Sequence, residues 1–157
     1  MKHPMIRWLS LLLALVILLS GCGLTEAAAY KSTAPTEEAI VEDEPYSSKE
    51  EVAEYIYLYG HLPPNYITKK EAQELGWVAS KANLWEVAPD MSIGGDRFGN
   101  REGLLPSAKG RKYYECDIDF DGGYRNAKRI IFSNDGLIYY TEDHYESFEL
   151  LYGEEST

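Results

Sequence analysis

The apolar residues that follow residue 48 first recur at helical spacing. Val52, Tyr55, Ile56 and Tyr59 fall on one face of a helix, and Gly60 directly after them is a typical helix end. This pattern predicts an amphipathic helix whose apolar face packs against the rest of the domain.

Two shorter helices are predicted from their capping residues. Thr68 and Glu71 form a capping box, which opens a helix that ends at Gly76. Asn83 is placed to cap a third helix over residues 84–87.

The apolar period changes to that of strands in the C-terminal half. Residues 112–120, 129–133 and 137–141 alternate or run apolar in short bursts, separated by turns that contain Gly and Asp. Helices first and strands afterwards, without β–α–β alternation, predict an α+β fold in which N-terminal helices pack on a C-terminal antiparallel β-sheet.

Residues 1–21 predict a lipoprotein-type signal peptide. Lys2 and Arg7 give a positive start, and the apolar run 11–19 suits a signal peptide but is too short to span a bilayer. The run leads into LSGC, which resembles the cleavage motif of bacterial lipoproteins, so Cys22 is expected to carry the lipid. This places the protein at the outer face of the cytoplasmic membrane, or outside the cell if it is released. An uncleaved apolar anchor is the alternative.

Residues 22–48 predict a disordered acidic linker between the lipidated Cys22 and a folded domain at 49–157. The segment is rich in Ala, Thr, Pro and Glu with almost no large apolar residue, so it cannot bury enough surface to fold. The only other cysteine is Cys116, so no intrachain disulfide is expected once Cys22 is acylated.

The net charge restricts the class of function. The whole chain carries −11, and the twelve basic and twenty acidic residues of 49–157 give that domain −8. A general nucleic-acid binder would be basic. Any nucleic-acid site must therefore be a local basic patch on an acidic body.

One predicted strand carries charge on a single face. Glu115, Asp117 and Asp119 share that face at period two, and Arg125 and Arg129 lie near the start of the next strand. The other face is apolar and is expected to be core: Tyr114, Cys116, Ile118 and Phe120. The spacing fits equally well an acid row facing two arginines and a solvated sheet face with ordinary cross-strand ion pairs.

No metal site and no cofactor are expected. His61 and His144 are the only histidines after residue 22, and no pair of ligands has the spacing of a zinc site. Residues 117–122 match the first half of a calcium-binding loop, but Lys128 stands where the loop needs a glutamate. A lone histidine such as His144 is by default structural or exposed.

Short blocks of sequence spread over residues 50–150 carry a more specific signal. They are LPPNYITK at 62–69, GWVASK at 76–81, SIGGD at 92–96, NREG at 100–103, YRN at 124–126, RI at 129–130 and TEDHY at 141–145. Together, and without gaps, they resemble the barnase-like, guanyl-preferring ribonucleases of bacteria. The resemblance implies the microbial ribonuclease fold and metal-independent cleavage of single-stranded RNA through a 2′,3′-cyclic phosphate.

The resemblance also implies the roles of individual residues. Glu115 would be the general base that takes the proton of the ribose 2′-OH, and His144 the general acid that protonates the leaving 5′-oxygen. Lys69, Arg125 and Arg129 would hold the phosphate and offset the charge that develops on its oxygens.

Substrate binding is implied for a second group of residues. Guanine preference would come from the loop with Asn100, Arg101 and Glu102, where backbone N–H groups face the base oxygen and the Glu102 carboxylate accepts from the ring N–H and the amino group. Tyr145 would stack on a base, and Asp96 belongs to the same substrate-binding set.

The implied partners are single-stranded RNA, a small acidic inhibitor of the barstar type and, through the lipid, a membrane; the protein is expected to be a monomer. The acidic domain departs from the basic family pattern, as do Leu104 and Ala108 in a stretch that carries lysines there. The alternative function is a catalytically weak lipoprotein that binds RNA or a protein in the same cleft.

Cys22→Ser should move the protein from the membrane to the soluble fraction, because a diacyl anchor supplies two chains and therefore stable attachment. Cell fractionation of wild type and variant measures this. Equal membrane retention by the variant would favour the uncleaved apolar anchor instead.

Overall fold

The computed structural model describes residues 39–155. The predicted signal peptide, Cys22 and most of the predicted linker lie outside these residues. No helix within the described range is long and apolar enough to cross a membrane. The helices are α1 (Lys49–Tyr59), α2 (Lys69–Glu74), a 3-10 turn (Ala79–Lys81) and α3 (Leu84–Val87); the strands are β1 (Tyr66–Ile67), β2 (Ser92–Phe98), β3 (Tyr113–Asp117), β4 (Arg129–Ser133), β5 (Ile138–Thr141) and β6 (Glu149–Tyr152).

The strands form one six-stranded sheet in the order β1 to β6. The short β1 pairs with β2 in parallel, and all later neighbours are antiparallel. The predicted α+β class is thus confirmed, with three strands in the predicted places and three more that the alternation did not predict. Strand β2 was not predicted because Gly94 and Gly95 weaken the strand pattern of its sequence. A Cβ at Gly94 would lie 2.7 Å from the Cβ of Cys116, so close strand packing requires glycine there.

Helix α1 packs on one face of the sheet and forms the main core with it. Ser48 caps its N-terminus, and Gly60 ends it in the left-handed conformation at φ 75°. Its apolar face packs against alternate residues of the β3, β4 and β5 segments in one buried cluster: Val52, Ala53, Ile56, Cys116, Ile118, Ile130, Phe132, Ile138 and Tyr140. The predicted apolar face of β3 is confirmed at Cys116 and Ile118, whereas Phe120 packs in a separate cluster with Trp77 and Leu84.

The opposite face of the sheet is also buried; it is apolar at one end and charged at the other. Tyr113, Ile131 and Tyr139 belong to a small apolar cluster there, with Leu105 and Leu137. Further along the same face of β3 and β4 stand Glu115, Asp117 and Arg129, all less than a tenth exposed. The sheet therefore separates the α1 core from a buried group of charges.

The capping predictions hold for α2 and differ for α3. Thr68 and Glu71 make the reciprocal hydrogen bonds of a capping box. Asn83 precedes α3 without capping it, because its side chain accepts from Val78 N–H and donates to the Gly76 carbonyl. Asn83 thus fixes the turn that follows α2.

Residues 40–48 lie on the domain, unlike the linker that was predicted to extend to residue 48. The Tyr59 hydroxyl donates to the Ile40 carbonyl, and the Asp43 N–H donates to the Tyr55 hydroxyl. The Tyr46 ring lies 5.7 Å from the Tyr55 ring, and Asn65 bonds both the N–H and the carbonyl of Tyr46. The Tyr46 ring, tyrosine hydroxyls and one asparagine hold this segment without a run of aliphatic residues, which is why its composition resembles a linker.

Tyr46→Ala should lower the free energy of unfolding by about 1–3 kcal/mol, because it removes the ring contact with Tyr55 and the hydrogen bond from Val41 N–H. Urea unfolding measures the change. Glu44→Ala, an exposed substitution in the same segment, is the control and should stay within about 0.5 kcal/mol. Equal unfolding midpoints for the two variants would mean that the segment contributes nothing.

Candidate active site

Glu115 stands in the middle of β3 with both carboxylate oxygens engaged. Lys69 Nζ lies 2.5 Å from Oε1, and the Tyr145 hydroxyl donates to Oε2 at 2.6 Å. Lys69 comes from the first turn of α2, whose position is fixed by the Asp96 carboxylate accepting from the Lys69 N–H at 2.9 Å. Asp96, predicted to bind substrate, here orients the lysine.

The environment of Glu115 favours its charged form. Burial alone would raise the pKa of this carboxyl, but the hydrogen bonds from Lys69 and Tyr145 and the charges of Lys69 and Arg125 outweigh that effect, and the pKa is lowered from its ordinary value. Glu115 is therefore an ionised acceptor at neutral pH, which is the state a general base requires.

Asp117, two residues further along the same strand face, holds two arginines. Arg125 donates to it from Nε and Nη2, both at 2.6 Å, and Arg129 Nε lies 2.9 Å from Oδ1. Asp117 is 1% exposed and Arg129 2% exposed. Two interpretations of this strand face were left open by the sequence. For Asp117, Arg125 and Arg129 the correct one is an acid facing two arginines, and a solvated sheet face is wrong.

Asp119 does not belong to the acid row. The strand ends at Asp117, and Asp119 adopts a left-handed backbone at φ 52°, which turns its side chain to Lys128 at 2.7 Å. The period-two alternation therefore stops one position before Asp119.

Arg129 is held by groups near it in the chain as well as by its ion pair with Asp117. Its Nη1 donates to the Lys128 carbonyl at 2.6 Å and to Asn126 Oδ1 at 3.3 Å. Its Nε lies 2.9 Å from Asp117 Oδ1 but makes no hydrogen bond. The short distance makes the contact an ion pair, which depends less on direction than a hydrogen bond does.

His144 and Tyr145 lie on a tight turn after β5. Both have positive φ, 59° and 79°, a conformation uncommon for residues other than glycine. Thr141 accepts from the Tyr145 N–H and donates to Asp143, and Asp143 in turn accepts from Glu146 N–H. Hydrogen bonds from Ser147 first, and then from Thr141, lower the pKa of Asp143 to about 2. An ionised Asp143 thus fixes the turn that presents His144.

The side chain of Asn100 closes the predicted guanine-binding loop across to Leu105. Its side chain donates to the Leu105 carbonyl at 2.8 Å and accepts from the Leu105 N–H at 3.0 Å, and its φ is 43°. Asn100 therefore shapes the loop through its side chain, while Arg101 and Glu102 are exposed beyond it.

Two adjoining grooves meet at His144. The groove we call the loop groove has a volume of about 690 Å³ and is lined by Arg97, Phe98, Gly99, Asn100, Arg101, Glu102, His144, Tyr145 and Glu146. The groove we call the arginine groove has a volume of about 420 Å³ and is lined by Ala79, Tyr124, Arg125, Asn126, Ala127, Arg129 and His144. His144 lines both grooves, and the Tyr145 hydroxyl links the loop groove to Glu115. Glu115, Lys69 and Asp96 themselves line neither groove.

Three residues of this site were not assigned a role from the sequence. The Phe98 ring stacks on Tyr145 with centroids 5.3 Å apart; Asn126 bonds Arg129, and Tyr124 lines the arginine groove. A period-two pattern in β2 could have revealed Phe98 if the glycines had not interrupted it. Within residues 39–155 no three His, Cys, Asp or Glu side chains are placed to hold a metal ion.

Tyr145→Phe should raise the pKa of Glu115, because it removes one of the two hydrogen bonds that hold the charged carboxylate and keeps the ring on Phe98. The folded-state pKa is depressed, so ionised Glu115 stabilises the fold above its unfolded-state pKa, and this contribution is lost as pH falls through the folded-state value. In the variant this contribution should be smaller, and its loss should be complete at a higher pH.

Carboxyl carbon NMR titration of Glu115 measures this shift directly. Tyr59→Phe is the matched control, because it removes a hydroxyl that bonds the Ile40 carbonyl instead. An unchanged Glu115 pKa in Tyr145→Phe would show that the Tyr145 hydroxyl does not stabilise the carboxylate.

The chain is similar in sequence to known ribonucleases. A sequence model of the ribonuclease family matches residues 49–152. A ribonuclease of Heyndrickxia coagulans is 61% identical over 97 residues, which cover 62% of this chain and 89% of that protein. A ribonuclease of Bacillus intermedius is also 61% identical over 97 residues, which cover 62% of this chain and 60% of that protein.

A more distant relative carries a more specific name. The guanyl-specific ribonuclease St of Saccharopolyspora erythraea is 44% identical over 57 residues, which cover 36% of this chain and 56% of that protein. The family match covers all the elements from α1 to β6. The chain belongs to the barnase-like family of microbial ribonucleases, and its substrate is RNA.

Proposed function

We propose that this ribonuclease cleaves single-stranded RNA after guanine by attack of the 2′-OH on the adjacent phosphorus, followed by hydrolysis of the 2′,3′-cyclic phosphate. The observation that carries the proposal is that Tyr145, whose hydroxyl donates to the ionised carboxylate of Glu115, lines the loop groove together with His144, which also adjoins two arginines in the arginine groove. A matched base and acid on one site have no use in a protein that only binds.

Glu115 is the general base of the first step. Its carboxylate takes the proton of the 2′-OH as the 2′-oxygen attacks phosphorus. Each carboxylate oxygen accepts one hydrogen bond, from Lys69 or from Tyr145, and keeps a second lone pair that can take the proton. Lys69 then lies close enough to the reacting group to offset the negative charge on the phosphate oxygens.

His144 is the general acid. It donates a proton to the 5′-oxygen as the bond from phosphorus to that oxygen breaks, and in the hydrolysis step the two residues exchange roles. Arg125 and Arg129 share the arginine groove with His144, which suits binding of the phosphate beside the acid. Asp117 keeps Arg125 charged: burial would lower the pKa of Arg125, but the Asp117 contacts raise it above its ordinary value.

The loop groove is proposed to hold the guanine. The exposed Glu102 carboxylate can accept from the ring N–H and the amino group of guanine, a pair of donors that no other base presents. The name of the guanyl-specific relative supports the same preference. The stacked rings of Phe98 and Tyr145 line this groove and supply a flat apolar surface for the base.

Location and partners extend the proposal. The LSGC motif at Cys22 supports a lipoprotein at the outer face of the cytoplasmic membrane, or an extracellular enzyme if it is released. The enzyme is proposed to act as a monomer, because a single chain supplies both grooves. A small acidic inhibitor of the barstar type would bind over the grooves through Lys69, Arg125 and Arg129.

Residues 23–157 should cleave single-stranded RNA in excess EDTA and leave 2′,3′-cyclic guanosine ends. Glu115→Ala and His144→Ala should each lower kcat/KM by about 100-fold or more, because general acid–base catalysis supplies about 10²–10⁴ in rate. Chain-end analysis and initial rates measure both statements.

The matched controls are Glu86→Ala and His61→Ala, which remove the same side chains outside the two grooves. Loss of activity on chelation would contradict metal-independent cleavage. Full activity in Glu115→Ala or His144→Ala would contradict the assigned roles, and cyclic ends at all four bases in equal yield would contradict guanine preference.

A further inference from the structure

A further groove lies on the α1 side of the sheet, and the proposed chemistry does not use it. It opens between Tyr57, near the C-terminal end of α1, and the rings of Tyr114 and Phe132 on the sheet. We call it the back groove. Its volume of about 460 Å³ falls in the usual range for ligand-binding sites, roughly 300–1,000 Å³.

Two glycines leave the back groove open. Gly60 ends α1 and Gly136 lies in the turn between β4 and β5, and both line the groove with positive φ. A Cβ at either position would have no heavy atom within 4 Å, so each glycine borders open space. A larger side chain at either position would be strained and would occupy that space.

The walls of the back groove carry stacked aromatic rings. Tyr152 covers one face of the Tyr57 ring, with centroids 4.6 Å apart, yet Tyr57 is 60% exposed and lines the groove. Tyr114 stacks on Phe132 at 5.7 Å. Rings held in place by a neighbouring ring are ready surfaces on which a further planar group can stack.

Two cations adjoin these walls. The Arg97 guanidinium lies 5.3 Å from the centre of the Tyr114 ring, and the exposed Lys112 bonds Asn134, which lines the groove, through its backbone N–H. Within residues 39–155 neither cation has an acidic side chain within ion-pair distance, and no acidic side chain lines the groove. Aromatic faces beside unpaired cations are the combination with which proteins bind single-stranded nucleic acid.

Arg97 connects the back groove to the proposed guanine site. It lines the loop groove, and its guanidinium contacts Tyr114, which lines the back groove. Among the described strands, β1 pairs with β2 only at Ser92 and Ile93, so the outer edge of β2 has no neighbouring strand at Arg97. A single strand of RNA can therefore pass round this edge of the sheet from one groove to the other.

The direction of the RNA follows from the order of the strands. In the proposed reaction the phosphate 3′ of the guanosine lies at His144, which follows β5. Strands β3 and β4 separate β5 from β2, where Arg97 stands. The RNA that lies 5′ of the guanosine therefore leaves the loop groove at the end toward Arg97.

We propose that the back groove is a second RNA-binding site, which holds a base 5′ of the cleaved guanosine against Tyr57 and the neighbouring phosphates at Arg97 and Lys112. This inference rests on the proposed function. The polar side chains of the groove are engaged elsewhere, Ser133 by Asp135 and Asn134 by the backbone of Gly110 and Lys112. The groove therefore binds through stacking and charge, and the choice of the cleaved bond stays with the loop groove.

Substrate length separates this site from the active site. GpU has no nucleotide 5′ of the guanosine, whereas UUUUGpU has four. The ratio of kcat/KM for cleavage of UUUUGpU at guanosine to kcat/KM for GpU should fall about 5-fold or more in Tyr57→Ala, the loss expected for one stacked base. Tyr57→Phe keeps the ring and should keep the ratio within about 2-fold of wild type.

Leu58→Ala is the matched control. Leu58 is 51% exposed and follows Tyr57 on α1, but it does not line the back groove, so the ratio should not change. Cleavage of GpU reports on folding and on the catalytic residues in every variant. An unchanged ratio in Tyr57→Ala, or an equal fall in Leu58→Ala or in Tyr57→Phe, would overturn the stacking role.

Binding of a strand that cannot be cleaved tests the site apart from the chemistry. Labelled 2′-O-methyl pentauridylate has neither a 2′-OH nor guanine, and fluorescence anisotropy measures its Kd. Tyr57→Ala should raise this Kd about 5-fold or more. Lys112→Gln should lower the slope of log K against log salt by about 0.7, the loss of one phosphate contact on a single strand.

Equal Kd values and equal slopes in wild type and both variants would overturn the second site, whatever the cleavage assays show. Failure of wild type to cleave either substrate at guanosine would contradict the proposed function, and the binding experiment would still decide this inference. A second copy of the chain is the other occupant to test. Self-association that Tyr57→Ala abolishes, measured by analytical ultracentrifugation, would assign the groove to protein and overturn the proposal.

Discussion

The buried carboxylate of Asp117 is the constraint on which the active site depends. It brings Arg125 and Arg129, from a loop and from the next strand, to one point on the sheet. Taking such charges out of water costs several kcal/mol for each ion, so none of the three is stable there alone. Removing Asp117 would leave two cations without compensation, whereas keeping it yields a pair of fixed, fully charged guanidinium groups beside His144.

This arrangement explains how a domain of net charge −8 carries a site for a polyanion. At physiological ionic strength, charges further apart than about 8 Å are largely screened. In the proposed site a phosphate would respond mainly to Lys69, Arg125 and Arg129, and only weakly to acids elsewhere on the surface. The departure from a basic family surface changes the long-range attraction of RNA and leaves the contact chemistry in place.

The sequence predicted the elements that local rules determine and missed those that depend on tertiary contacts. Gly60 and the capping box at Thr68 act within one turn of chain, and both predictions were correct. Strand β2 and the segment 40–48 form only because distant groups pack against them, Cys116 beside Gly94 and Asn65 beside Tyr46. The site residues came from the family resemblance, and spacing alone had left the acid row undecided. Residue spacing could not have assigned Asn126 or Tyr124 to the site, because the contacts of these two residues are made by loops.

The turn at His144 and Tyr145 has an evolutionary consequence. Both residues hold left-handed backbone conformations that cost of order 1–3 kcal/mol each and that glycine would adopt without strain. Random substitution under selection for stability alone would therefore favour glycine at these two positions. At these two positions stability and the proposed catalysis therefore favour different residues, glycine for the first and an imidazole and a phenol for the second.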